Sequence, residues 1–323
     1  MKVCILGAGA YGSALATVLN ENNNEVVMWT RFIDEANAMT SSRECSKLPG
    51  IKLDSKIQIT SDLESACKDA AFILLAIPTA FTRDVLLLAK DYISGKPLCI
   101  ASKGIEQNTC MFVSDIASEI LNSNKIAAIS GPSFAIDVVN GVPVGLTLAC
   151  KDSEITDLIY KAFCNDHFKL RPCSDVIGTE ICGAIKNVIA IASGILDGMG
   201  MPESTSAMFI TESVHDIKSL IQGLGGDGST ITSFAGFGDL LLTATSSKSR
   251  NYSFGHLIGS GASKEEVNEY INNTTIEGLY TLKSIHKLIE NKNIEMPIID
   301  LIDEIIYGDK EPNDLVNFLI EKP

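Results

Sequence analysis

Three glycines near the amino terminus constrain this chain more than any other feature. Gly7-Ala8-Gly9-Ala10-Tyr11-Gly12 follows the apolar residues 3–6 and opens a helical stretch over 13–19. A strand that turns this abruptly into a helix needs glycine for the tight turn, for close approach of backbone to a pyrophosphate, and for packing of helix on strand. The free N–H groups of the new helix then face the phosphates. The spacing predicts a dinucleotide-binding unit in which Gly7, Gly9 and Gly12 cradle the cofactor.

The pattern downstream extends this reading. Apolar runs at 25–29, 72–76, 98–101 and 127–129 alternate with amphipathic stretches, the rhythm of parallel strands joined by crossover helices. Turn chemistry, such as Asn22-Asn23-Asn24 and Ile77-Pro78, bounds the runs. After Arg171-Pro172 the pattern becomes helical, with three- and four-residue spacing over 181–196, 204–222, 276–290 and 298–306. The expected fold class is α/β, an N-terminal Rossmann-like doubly wound sheet followed by an all-helical C-terminal domain. The expected domains are 1–178 for the dinucleotide and 179–323 for substrate and catalysis, with a ligand cleft between them.

Composition excludes several functions. With 26 basic against 40 acidic residues the formal net charge is -14, which repels nucleic acid and anionic lipid. A few cations focused in a cleft still suffice for a small anionic substrate, since charge is screened over about 8–10 Å. The 9 cysteines show no C-x-x-C and read as reduced thiols, and the 4 histidines show no metal-binding spacing, so no metal is expected. Four apolar residues before Gly7 are too few for a signal-peptide core, and no uncharged apolar run approaches ~20 residues. A cytoplasmic chain without membrane insertion is expected.

Polar residues that interrupt apolar patterns mark the chemistry. Lys103, in Ala101-Ser102-Lys103-Gly104, stands at the carboxyl end of a strand, where open α/β sheets bind ligands. Ser130-Gly131-Pro132-Ser133-Phe134-Ala135 follows the next strand and is expected to start a helix with Pro132 in its first turn. Lys186 lies in a helix otherwise apolar almost all round; burying an amine there costs several kcal/mol unless it is paired or works as a proton donor. Asp239 and Thr243, one helical turn apart, can face one site, and Ser249-Arg250-Asn251 looks like a helix start suited to phosphate. At the second strand's end Arg31 stands where an NAD-selective site usually has an acid, which favours NADPH or use of both NADPH and NADH over strict NAD.

In order along the chain, Gly7 through Gly12, Ser102-Lys103-Gly104, Ser130 through Ala135, Lys186-Asn187-Val188, Gly238-Asp239-Leu240 with Thr243, Ser249-Arg250-Asn251 through Gly255, Thr275-Ile276-Glu277-Gly278 and Met296-Pro297-Ile298 resemble the bacterial-type NAD(P)-dependent glycerol-3-phosphate dehydrogenases. The resemblance implies hydride transfer between NAD(P)H and dihydroxyacetone phosphate to give sn-glycerol 3-phosphate, for glycerophospholipid synthesis. It implies catalytic roles for Lys186, Lys103, Asp239 and Thr243. Substrate contacts would come from Lys103, Gly131, Ser133, Lys186, Asp239, Ser249, Arg250 and Asn251. Ala10, Tyr11, Arg31, Lys103, Ala135, Arg250, Ile276 and Glu277 would line the cofactor beside the three glycines. The family often has Ser then Trp where this chain has Ala10-Tyr11. A homodimer is expected. Ketopantoate reductases and 3-hydroxyacid dehydrogenases also use a helix lysine but need no Ser249-Arg250-Asn251 phosphate grip, and a nucleotide sensor needs no Lys186.

Overall fold

Eight short segments become strands: β1 (Lys2–Leu6), β2 (Glu25–Trp29), β3 (Gln58–Thr60), β4 (Phe72–Leu75), β5 (Leu98–Ile100), β6 (Ile126–Ser130), β7 (Val144–Cys150) and β8 (Phe168–Cys173). The computed structural model that contains them describes residues 1–290, 292 and 294–321. They form one sheet in the order β3-β2-β1-β4-β5-β6-β7-β8. β1 to β6 run parallel, β7 is antiparallel to β6, and β8 is parallel to β7. Helices cover the strands, so β1, β4, β5 and β6 are apolar and buried along almost their full length. The chain order reverses between β1 and β4, the crevice position at which open α/β sheets take ligands.

Five of these strands are the apolar runs of the sequence; β3, β7 and β8 are additional, and the reversal at β7 departs from an all-parallel reading. β8 contains Arg171-Pro172, which marked the end of the strand region in the pattern. Pro172 is tolerated because β8 is an edge strand, where a missing N–H leaves no ladder bond unmade. The first helix, Ala10–Glu21, begins inside the glycine motif, three residues earlier than its apolar pattern. The helix after β6 begins at Ala135 and ends at Val139, so Pro132 lies in the preceding turn and not in the first helical turn.

The chain divides into two compact units, residues 1–103 with 112–176, and residues 104–111 with the chain from Ile177 onward. Gly104, with φ +130°, begins the excursion of 104–111 into the second unit, where Lys287 Nζ donates to the Asn108 carbonyl at 3.1 Å. Among the described residues the second unit holds helices and turns without a strand. Its core is helix Val176–Gly198, buried continuously from Gly178 to Leu196. That helix is apolar and long enough to cross a bilayer, and 89% of its most apolar window is inside the protein.

Helix Arg250–Gly259 crosses this core helix on glycine. A Cβ added to Gly194 would stand 2.0 Å from the Tyr252 carbonyl oxygen, and one on Gly198 would stand 2.3 Å from that of His256. In return, a Cβ on Gly255 would meet Ile191 O at 1.8 Å, and one on Gly259 would meet Ile195 O at 2.0 Å. Two interlocked glycine pairs thus bring the helix backbones into contact, a separation that side chains at these positions forbid. All 9 cysteines are free thiols, and 7 of them are buried.

Candidate active site

In the first unit the glycine loop has a distinct reason for each glycine. Gly7 takes φ +123°, and a Cβ there would lie 2.4 Å from Ala76 O, on the segment that follows β4. A Cβ on Gly12 would lie 2.1 Å from Gly7 O, so helix Ala10–Glu21 packs onto its own turn only without one. Gly9 has open space within 4 Å where its Cβ would be. That open backbone, at the N-cap of a 12-residue helix with no acidic residue in its first turn, is the cradle a pyrophosphate requires. The residues present therefore fit a dinucleotide.

Lys103 is held at the end of β5 by its neighbours. The Thr79 hydroxyl donates to the Lys103 carbonyl at 2.9 Å, and Ser102 Oγ accepts from Ile77 N at 3.2 Å. The Lys103 ammonium reaches back toward Gly131 O at 3.5 Å and lies 6.0 Å from the centre of the Tyr11 ring. Gly131 has no room for a side chain, because β7 returns antiparallel beside it and a Cβ would stand 2.7 Å from Gly145 O. Ser133 Oγ donates to Gly131 O at 3.1 Å and pairs with the Tyr11 hydroxyl at 2.9 Å. Tyr11, Lys103, Gly131 and Ser133 are thus one cluster. Ala135 begins the short helix beyond it, and Ala10 is partly buried at the start of the first helix. Arg31 is exposed after β2; beside it, Thr30 donates to the Glu35 carboxylate.

In the second unit Lys186 is buried with its charge answered. Its Nζ lies 2.6 Å from Asp239 Oδ1 and 3.0 Å from Thr243 Oγ1, with the Asp239 residue only 2% exposed. Helix Asp239–Ala244 puts both partners on one side, and the Thr243 hydroxyl donates to the Asp239 carbonyl at 2.6 Å, leaving its lone pair for the lysine. A pair this buried is held by geometry as well as Coulomb attraction, since separating the partners strands a charge.

A second network was not singled out from sequence. Asn187, next to Lys186, donates from Nδ2 to Glu277 Oε2 at 3.2 Å, and its Oδ1 accepts from Asn251 Nδ2 at 3.0 Å. Asn251 Oδ1 in turn accepts from Gly278 N at 2.9 Å. One amide therefore ties the core helix to helices Arg250–Gly259 and Glu277–Ile289. A buried amide in an otherwise apolar helix was the signal available. Ser249 caps helix Arg250–Gly259 by accepting from Tyr252 N at 3.3 Å, and Arg250 is exposed at its first position. Ile276 is buried just before helix Glu277–Ile289. Among the described residues no group of three His, Cys, Asp or Glu side chains is placed to hold a metal.

Comparison with known proteins agrees along the whole chain. The family described as NAD-dependent glycerol-3-phosphate dehydrogenase N-terminus matches residues 2–156, and its C-terminus counterpart matches residues 175–317. A glycerol-3-phosphate dehydrogenase [NAD(P)+] from Halorhodospira halophila is 36% identical over 99% of this chain and 96% of its own. One from Staphylococcus epidermidis is 35% identical over 99% of this chain and 98% of its own. The crystal structure of glycerol-3-phosphate dehydrogenase from Coxiella burnetii has a TM-score of 0.91 at 30% identity and covers 99% of both chains. With both halves matched and the relatives aligned end to end, the chain belongs to the NAD(P)-dependent glycerol-3-phosphate dehydrogenase family and carries that family's oxidoreductase activity.

Proposed function

We propose that the chain reduces dihydroxyacetone phosphate reversibly to sn-glycerol 3-phosphate, with Lys186 as the proton donor and, in reverse, the acceptor. A nicotinamide held by the glycine loop would supply the hydride for carbon 2. As charge develops on the carbonyl oxygen, the Lys186 ammonium gives it a proton and becomes a neutral amine beside Asp239 and Thr243. The observation that carries this reading is the buried Lys186, at 2.6 Å from Asp239 and 3.0 Å from Thr243 in a helix that is otherwise almost wholly apolar. Asp239 and Thr243 orient the ammonium, and a general acid so positioned accelerates a reaction by about 10²–10⁴-fold.

Lys103 supports the same oxygen with its positive charge. Arg250 holds the phosphate, helped by Ser249 and Asn251, and Gly131 and Ser133 contact substrate. Gly7, Gly9, Ala10, Tyr11, Gly12, Arg31, Lys103, Ala135, Arg250, Ile276 and Glu277 line the cofactor. The first unit, residues 1–103 with 112–176, serves the dinucleotide, and the second, 104–111 with the chain from Ile177 onward, serves substrate and catalysis. NADPH is the preferred cofactor: Glu35 is engaged by Thr30, while exposed Arg31 suits a 2′-phosphate. The enzyme works in the cytoplasm as a homodimer through its helical unit, where Met208 and Ile271 are exposed, and it feeds glycerophospholipid synthesis.

The deciding experiment follows loss of reduced-nicotinamide absorbance on adding dihydroxyacetone phosphate, with NADPH and NADH in parallel. Fast substrate-dependent loss, larger kcat/KM with NADPH, and loss of turnover in Lys186→Ala with NADPH affinity within a few-fold are expected. Turnover unchanged in Lys186→Ala removes its assigned role, and equal use of both nucleotides removes that of Arg31.

A further inference from the structure

The 2.9 Å hydrogen bond between the Tyr11 hydroxyl and Ser133 Oγ joins the cofactor loop to the segment after β6. Its direction follows from counting hydrogens. Ser133 has one hydroxyl hydrogen and donates it to Gly131 O at 3.1 Å, so the Tyr11 hydroxyl is the donor and the serine oxygen the acceptor. The same Gly131 carbonyl is approached by Lys103 Nζ at 3.5 Å, and Lys103 also faces the Tyr11 ring. Helix Ala10–Glu21, which carries Tyr11, packs against the short helix Ala135–Val139. The tyrosine base is therefore fixed by the fold while its tip reaches a group on another loop.

We propose that Tyr11 is a positioning residue for the substrate as well as part of the cofactor wall: its hydroxyl fixes the Ser133 side chain, and through it the turn at Gly131, in the arrangement that receives the phosphorylated triose. This rests on the reading that Ser133 and Gly131 contact the substrate. Without that donor the Ser133 hydroxyl keeps only its 3.1 Å bond to Gly131 O and is held less firmly in one of its three staggered positions. The link thus separates two functions of one side chain, the ring for the cofactor and Lys103, and the oxygen for Ser133.

Tyr11→Phe keeps the ring and removes only the oxygen. Steady-state kinetics with dihydroxyacetone phosphate are measured alongside NADPH affinity by fluorescence titration, for Tyr11→Phe, Ser133→Ala and the double variant. A neutral hydrogen bond is worth about fivefold in an equilibrium constant. Tyr11→Phe is expected to raise KM for the triose phosphate about fivefold with the NADPH Kd within twofold, and the double variant is expected to be no worse than Ser133→Ala alone. A raised KM in Ser133→Ala with none in Tyr11→Phe overturns the positioning role. Strictly additive losses also overturn it, as does an equal loss of NADPH affinity in Tyr11→Phe. An unchanged KM in Ser133→Ala overturns instead the reading of Ser133 on which the proposal rests.

Discussion

Replacing Gly255 with alanine separates local helix preference from tertiary packing, because the two predict opposite signs. Gly255 lies inside helix Arg250–Gly259. In a helix interior alanine is favoured over glycine by about 1 kcal/mol, so local preference alone makes the variant more stable. The crossing reverses this. The new Cβ would stand 1.8 Å from Ile191 O, 2.7 Å from Ile191 C and 3.0 Å from Ile195 N, all backbone atoms of the core helix that no rotamer change can move. The helix must withdraw until the contact grows from 1.8 Å to at least 3.0 Å. A shift of that size takes Asn251 Nδ2, now 3.0 Å from Asn187 Oδ1, out of hydrogen-bonding range.

Overpacking costs typically about 1–3 kcal/mol and a lost hydrogen bond about 1 kcal/mol, and after the helix preference of about 1 kcal/mol for alanine the net destabilisation is roughly 1–3 kcal/mol. In a chain of this size that lowers Tm by about 2–5 °C. Circular dichroism at the helical band reports the unfolding, and kcat/KM for dihydroxyacetone phosphate reports the displaced Asn251 and Arg250. A Tm at or above that of the parent, with kcat/KM intact, refutes the argument that glycine sets this crossing.

Three further outcomes follow from the same geometry. Asp239→Asn removes the counter-charge of a buried ammonium and lowers stability by about 3 kcal/mol in urea unfolding, whereas Lys186→Met with Asp239→Leu together lose less than the two single changes summed; simple additivity shows that the pair is not coupled. Arg250→Ala raises KM for dihydroxyacetone phosphate at least about tenfold, the value of a charge-assisted hydrogen bond, with a much smaller change in NADPH Kd; equal losses remove Arg250 from the phosphate. Burial, followed by its contact with Asp197, pushes the Tyr252 hydroxyl up to about 12 from its ordinary value of 10.0, and burial does the same to Tyr307. Between those pH values the unfolded chain has lost protons that the folded one keeps, so stability falls as pH rises. Tyr252→Phe flattens that fall in urea midpoints measured from pH 9 to pH 12, and an unchanged slope refutes the link.

Much of the first unit was legible because its signals are local. Strands β1, β2, β4, β5 and β6 are apolar runs with clear boundaries, and Gly12 answers a steric demand set within the loop while Gly7 answers one set by the segment after β4. β3 is three residues long, and its Gln58, Ile59 and Thr60 carry no pattern that stands out from a loop. The antiparallel direction of β7 was illegible because a return strand over 144–150 has the same apolar character as a parallel one; direction leaves no trace in hydropathy. β8 was missed because Pro172 reads as a break unless the strand is known to be an edge.

The second unit divides in the same way. Lys186 was conspicuous as one cation in an apolar helix, and Asp239 and Thr243 fall one turn apart in any helix that includes both. Asn187 was overlooked because its importance lies in its partners, Asn251 and Glu277, which stand 64 and 90 residues away.

The sequence by itself determined the element types of most of the chain, the dinucleotide loop, the helical character of the second unit and the one buried cation that demands an explanation. These follow from periodicity, from steric rules for glycine and from the cost of burying charge, all of which act within a residue or a turn. Tertiary structure alone decided that β7 runs backward and so denies Gly131 a side chain, that 104–111 packs with the second unit, and that Gly194 and Gly198 lock against Gly255 and Gly259. It also decided that the Tyr11 oxygen meets Ser133, 122 residues away. Distances between remote residues depend on how whole helices and strands close against one another, and no short window of sequence encodes that closure.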